Sequence, residues 1–129
     1  MPNVPADLAA KLRDHAKGWL PAEAAVDLLI AHDIWLHEPD FVARCVVEDR
    51  HFLDDRPIAY IDWERPPSFT ARVGAASSAN QVLLIAAELA GVTTSRSLTE
   101  LLSGLDDTNT RLVCDAIAHH NGLHQRGGR

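Results

Sequence analysis

An all-α or mainly α fold is what this chain of 129 residues predicts, on three observations. Apolar residues recur at helical spacing through most of its length. Proline, glycine and Ser/Asp capping positions punctuate those stretches where helices start and stop. One stretch alone, residues 49–76, lacks a long helical period and carries Pro57, Pro66 and Pro67. Five to six helices around a central apolar helix at 21–37 follow, with a short strand or hairpin inserted near 56–64.

Each element has a local reason. Pro5 suits the first position of a helix running to about Lys17, because its missing N–H has no partner there anyway, and Gly18 stops it. Pro21 opens the second helix in the same way, with Glu23 and Asp27 towards its positive end. On a helical wheel Ala25, Leu28, Leu29, His32, Trp35 and Leu36 form one apolar face, and Val26, Ile30 and Ile34 form a second. Such an all-round pattern marks a buried helix. Pro39 forces a break after His37, and "PDFVARCVVED" reads as a third helix. Within the insert, "IAYIDW" alternates, with Ile58 and Tyr60 on one face and Ala59, Ile61 and Trp63 on the other. Ser78 and Gln81 have capping-box spacing before "VLLIAAELAG", as do Ser97 and Glu100 before "LLSG". Gly91 and Gly104 close those helices, and Glu88 with Gln81 falls on the solvated side. The last helix begins at Asp106 or Asp107 and ends at Gly122. One helical domain over 1–122 is expected, with the irregular insert at about 49–76 and a flexible tail at 123–129.

Composition narrows the partners. Hydrophobic residues make up 47% and charged residues 23%, a globular rather than a disordered balance. The formal net charge of −6 repels phosphate, so neither nucleic acid nor an anionic membrane is an expected partner. The longest apolar runs, such as "VLLIAA", fall far short of the about 20 residues that span a bilayer. The first residues lack the basic start and apolar core of a signal peptide, and a cytoplasmic protein is expected. Richness in Ala, Leu, Asp and Arg points to a bacterial source. Cys45 and Cys114 sit in apolar helical patterns and are expected as two buried, reduced thiols. No P-loop, GxGxxG, GxSxG or HExxH is present, so no cofactor is expected and catalysis is not the leading reading.

The stretch "LLIAHDIWLHEPDF", residues 28–41, places polar groups inside an apolar run. His32 falls in the middle of the first apolar face, and Asp33 lies one turn before His37, within reach of a carboxylate–imidazole contact. Read from the residues, His32 is a core side chain satisfied by a neighbour and binds no metal. The segment "LIAHDIWLHEPDF" resembles the His-Asp segment of the HD-domain metal phosphohydrolases, which are all-helical. That resemblance implies the alternative reading, a metal-dependent phosphohydrolase with His32 and Asp33 as ligands. It implies another His upstream, where His15 stands one helix earlier, and an Asp downstream, where Asp106, Asp107 and Asp115 stand. Trp35 and Leu36 occupy places where that family prefers a small residue. The C-terminal half, from "LLIAAELAG" to "AIAHHNG", is similar to small actinobacterial proteins and carries no activity or site with it.

On the last helix Leu112, Val113, Ala116, Ile117 and His120 share the apolar side, and Arg111, Asp115 and His119 the polar one. Asp115 and His119 are expected as a local pair near the helix end, where a cationic imidazole is favoured. A metal site from Asp115, His119 and His124 is the alternative.

The leading functional expectation is a non-enzymatic protein-interaction module. Its contact segment is 58–72, where Tyr60, Trp63, Arg65, Phe69 and Arg72 gather the aromatic and Arg types that anchor interfaces. The competing reading is that Trp63 and Phe69 tuck a long connection onto the core. The wide apolar faces of the second and fourth helices need either a complete wrap or a second subunit, so a homodimer is one expected assembly. A small-ligand sensor with a pocket between helices is the third reading.

Overall fold

The computed structural model describes residues 4–73 and 78–123, with the side chains of Val4, Pro5, Arg72 and Val73 outside that description. The expected tail therefore lies, from residue 124 on, outside the described residues. The chain is mainly helical, with seven α-helices and a two-stranded sheet among the described residues.

Helix α1 (Val4–Ala16) buries Leu8, Leu12 and Ala16, spaced one turn apart. Gly18 follows with φ +99°, a left-handed turn that Gly adopts without steric cost. Helix α2 (Leu20–His32) has Pro21 in its first turn and buries Ala24, Ala25, Val26, Leu28, Leu29 and His32. It packs against α1, against α5 (Ser78–Leu89) and against α7 (Asp107–His120), and so sits at the centre. The core gathers Leu12, Leu29, Phe41, Ile61, Phe69, Leu83, Leu101 and Val113 from seven helices and the second strand.

The central helix stops at His32 instead of running to His37. Asp33 adopts φ +61° and its N–H donates to the Leu29 carbonyl at 3.0 Å, closing the helix. Asp tolerates this left-handed conformation better than most residues. A single 3-10 turn, Trp35–His37, follows and turns Trp35 and Leu36 inward. Trp35 Nε1 donates to the Ala79 carbonyl at 2.9 Å, fixing the turn to α5. Glu38, held extended before Pro39, then leads into α3 (Pro39–Cys45).

The third helix is also shorter than expected. From Val46 the chain is strand β1 (Val46–Arg50), antiparallel to β2 (Pro57–Ile61) with Val46 opposite Ile61 and Arg50 opposite Pro57. The β-branched Val46 and Val47 suit the pleated surface more than a helix, and the alternating segment at 58–61 provides the partner. Helix α4 (Pro66–Val73) lies inside the stretch expected to be irregular. Pro66 and Pro67 occupy its first turn, where a missing N–H costs nothing, so they start a helix rather than break one.

Helix α5 buries Val82 through Ala87. Its Ser78 hydroxyl accepts from Asn109 Nδ2 at 2.7 Å, while the Gln81 amide donates to the Glu100 carbonyl at 2.9 Å and to that of Ser103. Glu88 is not simply solvated: its carboxylate accepts from Thr94 N and Oγ1 at 2.8 and 2.7 Å. The expected capping box at α6 (Leu98–Leu102) is present, with Ser97 N donating to Glu100 Oε1 and Glu100 N to Ser97 Oγ. Asp106 caps α7 by accepting from Asn109 N at 2.7 Å.

Three aromatic rings lock α3 and α4 to the 3-10 turn. Trp35, Phe41 and Phe69 lie 5.7–5.8 Å apart by centroid, with Phe69 edge-on to both others. Phe69→Ala is therefore expected to destabilise the fold by about 3–5 kcal/mol in urea denaturation, as loss of a buried aromatic does. A cost under about 1 kcal/mol would contradict its placement at the centre of the cluster.

Candidate functional site

The five residues expected to form a contact segment do not share one surface. Phe69 is buried, 6% exposed, in the aromatic cluster. Arg65 is exposed and turned towards α3, with Nη1 donating to the Arg44 carbonyl at 3.1 Å and Nε to Asp62 Oδ2 at 3.2 Å. The Arg72 side chain lies outside the described residues. Tyr60 and Trp63 do come together, half-buried at the edge of β2.

A residue that sequence reasoning passed over joins them. Trp19, between the Gly18 turn and Pro21, is 57% exposed. It holds the N-cap position of α2 with no side-chain cap bond, where Ser, Thr, Asp or Asn is the usual choice. A Trp at a cap position was the available signal. Trp19, Tyr60 and Trp63 line a cleft of about 240 Å³, floored by Leu12, Ala22 and Ile61. The Tyr60 ring stacks on His15 at 4.8 Å, which holds it in place. Lys17, His15 and Tyr60 are the ionisable groups among the described residues lining this cleft, and none of these residues is a carboxylate.

A second hollow of about 350 Å³ adjoins it, sharing Lys17 and Val26, and is lined by Arg13, Glu23 and Asp27. Three of its charged groups, Arg13, Glu23 and Asp27, already have partners. Arg13 Nε donates to Asp27 Oδ1 at 3.0 Å, and the Gly18 N–H donates to Glu23 Oε2 at 2.7 Å. Beneath them lies His119, which the structure places inward and not beside Asp115 on a polar face. Its Nε2 is 3.1 Å from Glu23 Oε1 and its Nδ1 is 3.3 Å from Asp27 Oδ2. An imidazolium donates to both carboxylates, whereas the neutral ring has one N–H to give. The cluster thus ties α7 to α2 and Asp27 onward to α1.

No protein-family model matches the chain, and neither does a curated protein or a solved structure. The geometry therefore carries the functional reading alone.

His32 and Asp33 face different surroundings. The Asp33 carboxylate is exposed and meets His37 Nε2 at 2.7 Å, the contact expected from their spacing. His32 is buried, and neither ring nitrogen has a hydrogen-bond partner, contrary to the expectation of a satisfying neighbour. His15 is on α1 against Tyr60, away from both. Among the described residues no group of three or more His, Cys, Asp or Glu side chains could hold a metal ion. His124, the third member of the other metal candidate, lies outside the described residues.

The same orphaned ring sets a pH dependence. Burial lowers the His32 pKa from 6.5, with Asp106 and Asp33 opposing. The unfolded chain then takes up this proton at a higher pH than the folded one, so stability falls as pH drops below about 6.5. His32→Leu is expected to raise stability near pH 7 by about 1–3 kcal/mol and to flatten the acid-side decline, both read by urea denaturation. A loss of stability near pH 7 would show that the imidazole has a partner.

The cysteines differ from expectation in one respect: both are free, but only Cys45 is buried, and Cys114 is exposed. Burial pushes the Cys45 thiol up to about 11, against the pull of Arg65. One thiol per chain is expected to react promptly with a disulfide reagent, the second only after denaturation. Two prompt thiols would contradict the placement of Cys45.

Proposed function

We propose that the protein is a non-catalytic protein-binding module whose contact surface is the aromatic cleft between α1, α2 and β2. The observation that carries this reading is Trp19, a large aromatic left mostly in water at the rim of a cleft that Tyr60 and Trp63 complete. Aromatic side chains in preformed pockets are the usual anchors of interfaces. Covering apolar surface is worth roughly 25 cal/mol per Å², so an uncovered Trp beside a hollow is a ready source of affinity. Stacking on His15 and the ladder of β2 order Tyr60 in advance, which lowers the entropy lost on association.

The aromatic cleft by itself is smaller than a usual small-ligand site, and the hollow beside it, at about 350 Å³, is within the usual range. Drug-sized ligands occupy roughly 300–1,000 Å³, whereas the aromatic cleft is about 240 Å³. It suits one apolar side chain presented by a protein. The adjoining hollow adds Arg13 and Asp27, already paired with each other, and Glu23, already held by His119.

A reducing, cytoplasmic setting in a bacterium fits two unpaired cysteines, the net charge of −6 and the composition. Among the described residues no helix is long and apolar enough to cross a membrane.

The test is a photo-crosslinking residue placed at position 19 or 63 in the producing cell, with the exposed Thr108 position as control. The expected result is a discrete protein adduct at 19 and 63 that the control lacks. Failure to form any protein adduct at 19 would sink the reading.

A further inference from the structure

We propose that the occupant of the cleft is the hairpin tip of a second copy of this chain. The inference rests on the protein-binding reading above and names its partner.

The β1–β2 connection, residues 51–56, carries two apolar side chains left mostly in water: Phe52 is 88% exposed and Leu53 77%. Loop tips usually carry small polar residues. This one is also held rigidly. The His51 N–H donates to the Arg56 carbonyl and the Asp55 N–H to the His51 carbonyl, both at 2.9 Å. Arg50 Nη1 donates to the Asp55 carbonyl at 3.1 Å, and the His51 ring stacks on Phe52. Asp55 takes φ +62° to close the turn. An ordered tip that presents a Phe to water has already lost the entropy that binding would otherwise remove.

Knob and cleft match in size, and one charge beside each is complementary. A dry cavity of about 150 Å³ is enough for a benzene ring, so about 240 Å³ admits the Phe52 ring with room beside it. Beside the knob Asp55 follows Asp54, and among the described residues lining the cleft Lys17 is the cation and none is a carboxylate. Asp54 shares its charge with Arg56, which also reaches Asp14 on α1 at 3.5 Å.

The knob cannot serve its own cleft. It projects beyond Pro57, where β2 begins, whereas Tyr60 lies further down the same paired strand. The ladder and the Arg56–Asp14 contact hold the tip away from it. The two features nevertheless adjoin through α1, where Asp14 meets the base of the knob and His15 stacks on Tyr60. A two-fold axis between them seats each knob in the other copy's cleft, giving two identical contacts and a closed dimer.

The experiment is native mass spectrometry with sedimentation velocity on the full chain, as wild type, Phe52→Asp and Trp19→Ala. The wild type is expected to be a dimer. Each variant weakens it by roughly 100-fold or more, with an unchanged circular-dichroism spectrum. Phe52 is mostly in water, so its replacement leaves the fold intact even if Trp19→Ala does not. Mixing the two variants restores one knob–cleft pair, and a heterodimer tighter than either variant homodimer is expected. A monomeric wild type, or a dimer indifferent to both substitutions, overturns the proposal. A different protein crosslinked at position 19 also overturns it and leaves the binding reading standing, whereas no adduct there removes both.

Discussion

Helix α2 is apolar nearly all the way round, and the other elements are placed by the need to cover it. Transfer of apolar surface out of water is the dominant favourable term in folding, and a helix without a polar face must be wrapped on every side. Helices α1, α5 and α7 do most of this. The covering leaves a gap between α1, α2 and β2, where the small Ala22 faces the side chains of Tyr60 and Trp63. The cleft is thus a consequence of how the central helix is wrapped.

The polar groups of α2 fall into two sets, Glu23 with Asp27, and His32 at the C-terminal end, and the two are treated differently. Glu23 in its first turn and Asp27 one turn later meet His119, Arg13 and the Gly18 N–H. A buried polar group is costly unless it is hydrogen-bonded, and the His119 ring has a carboxylate against each nitrogen. At the opposite end His32 is buried with both nitrogens unpartnered and remains neutral through burial.

Much of the architecture was legible because it is written in local chemistry. Pro21, Pro39, Gly18, the Ser97–Glu100 box and Asp106 each mark a helix end for a reason confined to a few residues. What was not legible depends on distant partners. Val46 and Val47 continue an apolar helical pattern by themselves and become a strand because 57–61 pairs with them. Pro66 and Pro67 punctuate a loop or begin a helix with equal local sense, and the aromatic cluster with Trp35 and Phe41 decides between them. His119 stands one position from His120, and a wheel drawn without knowledge of Glu23 and Asp27 chose the wrong ring. The candidate site was legible in part: Tyr60 and Trp63 stood out as aromatics in an unusual segment, but Trp19 reaches them only through the turn at Gly18.

The asymmetry between the ends of α2 bears on the cleft. Recognition by a small preformed pocket gains from rigid walls, because ordering a loose one on association subtracts from affinity. Lys17 and Val26 belong both to the aromatic cleft and to the hollow above the His119 cluster. The charged network that joins α7 to α2 and α1 therefore braces the walls that carry Trp19 and His15. The unsatisfied imidazole of His32 sits at the far end of the same helix, where its cost in stability is not borne by the cleft. A well-paired buried histidine beside the aromatic hollow and an orphaned one away from it put the stiffness of α2 where the proposed binding surface would need it.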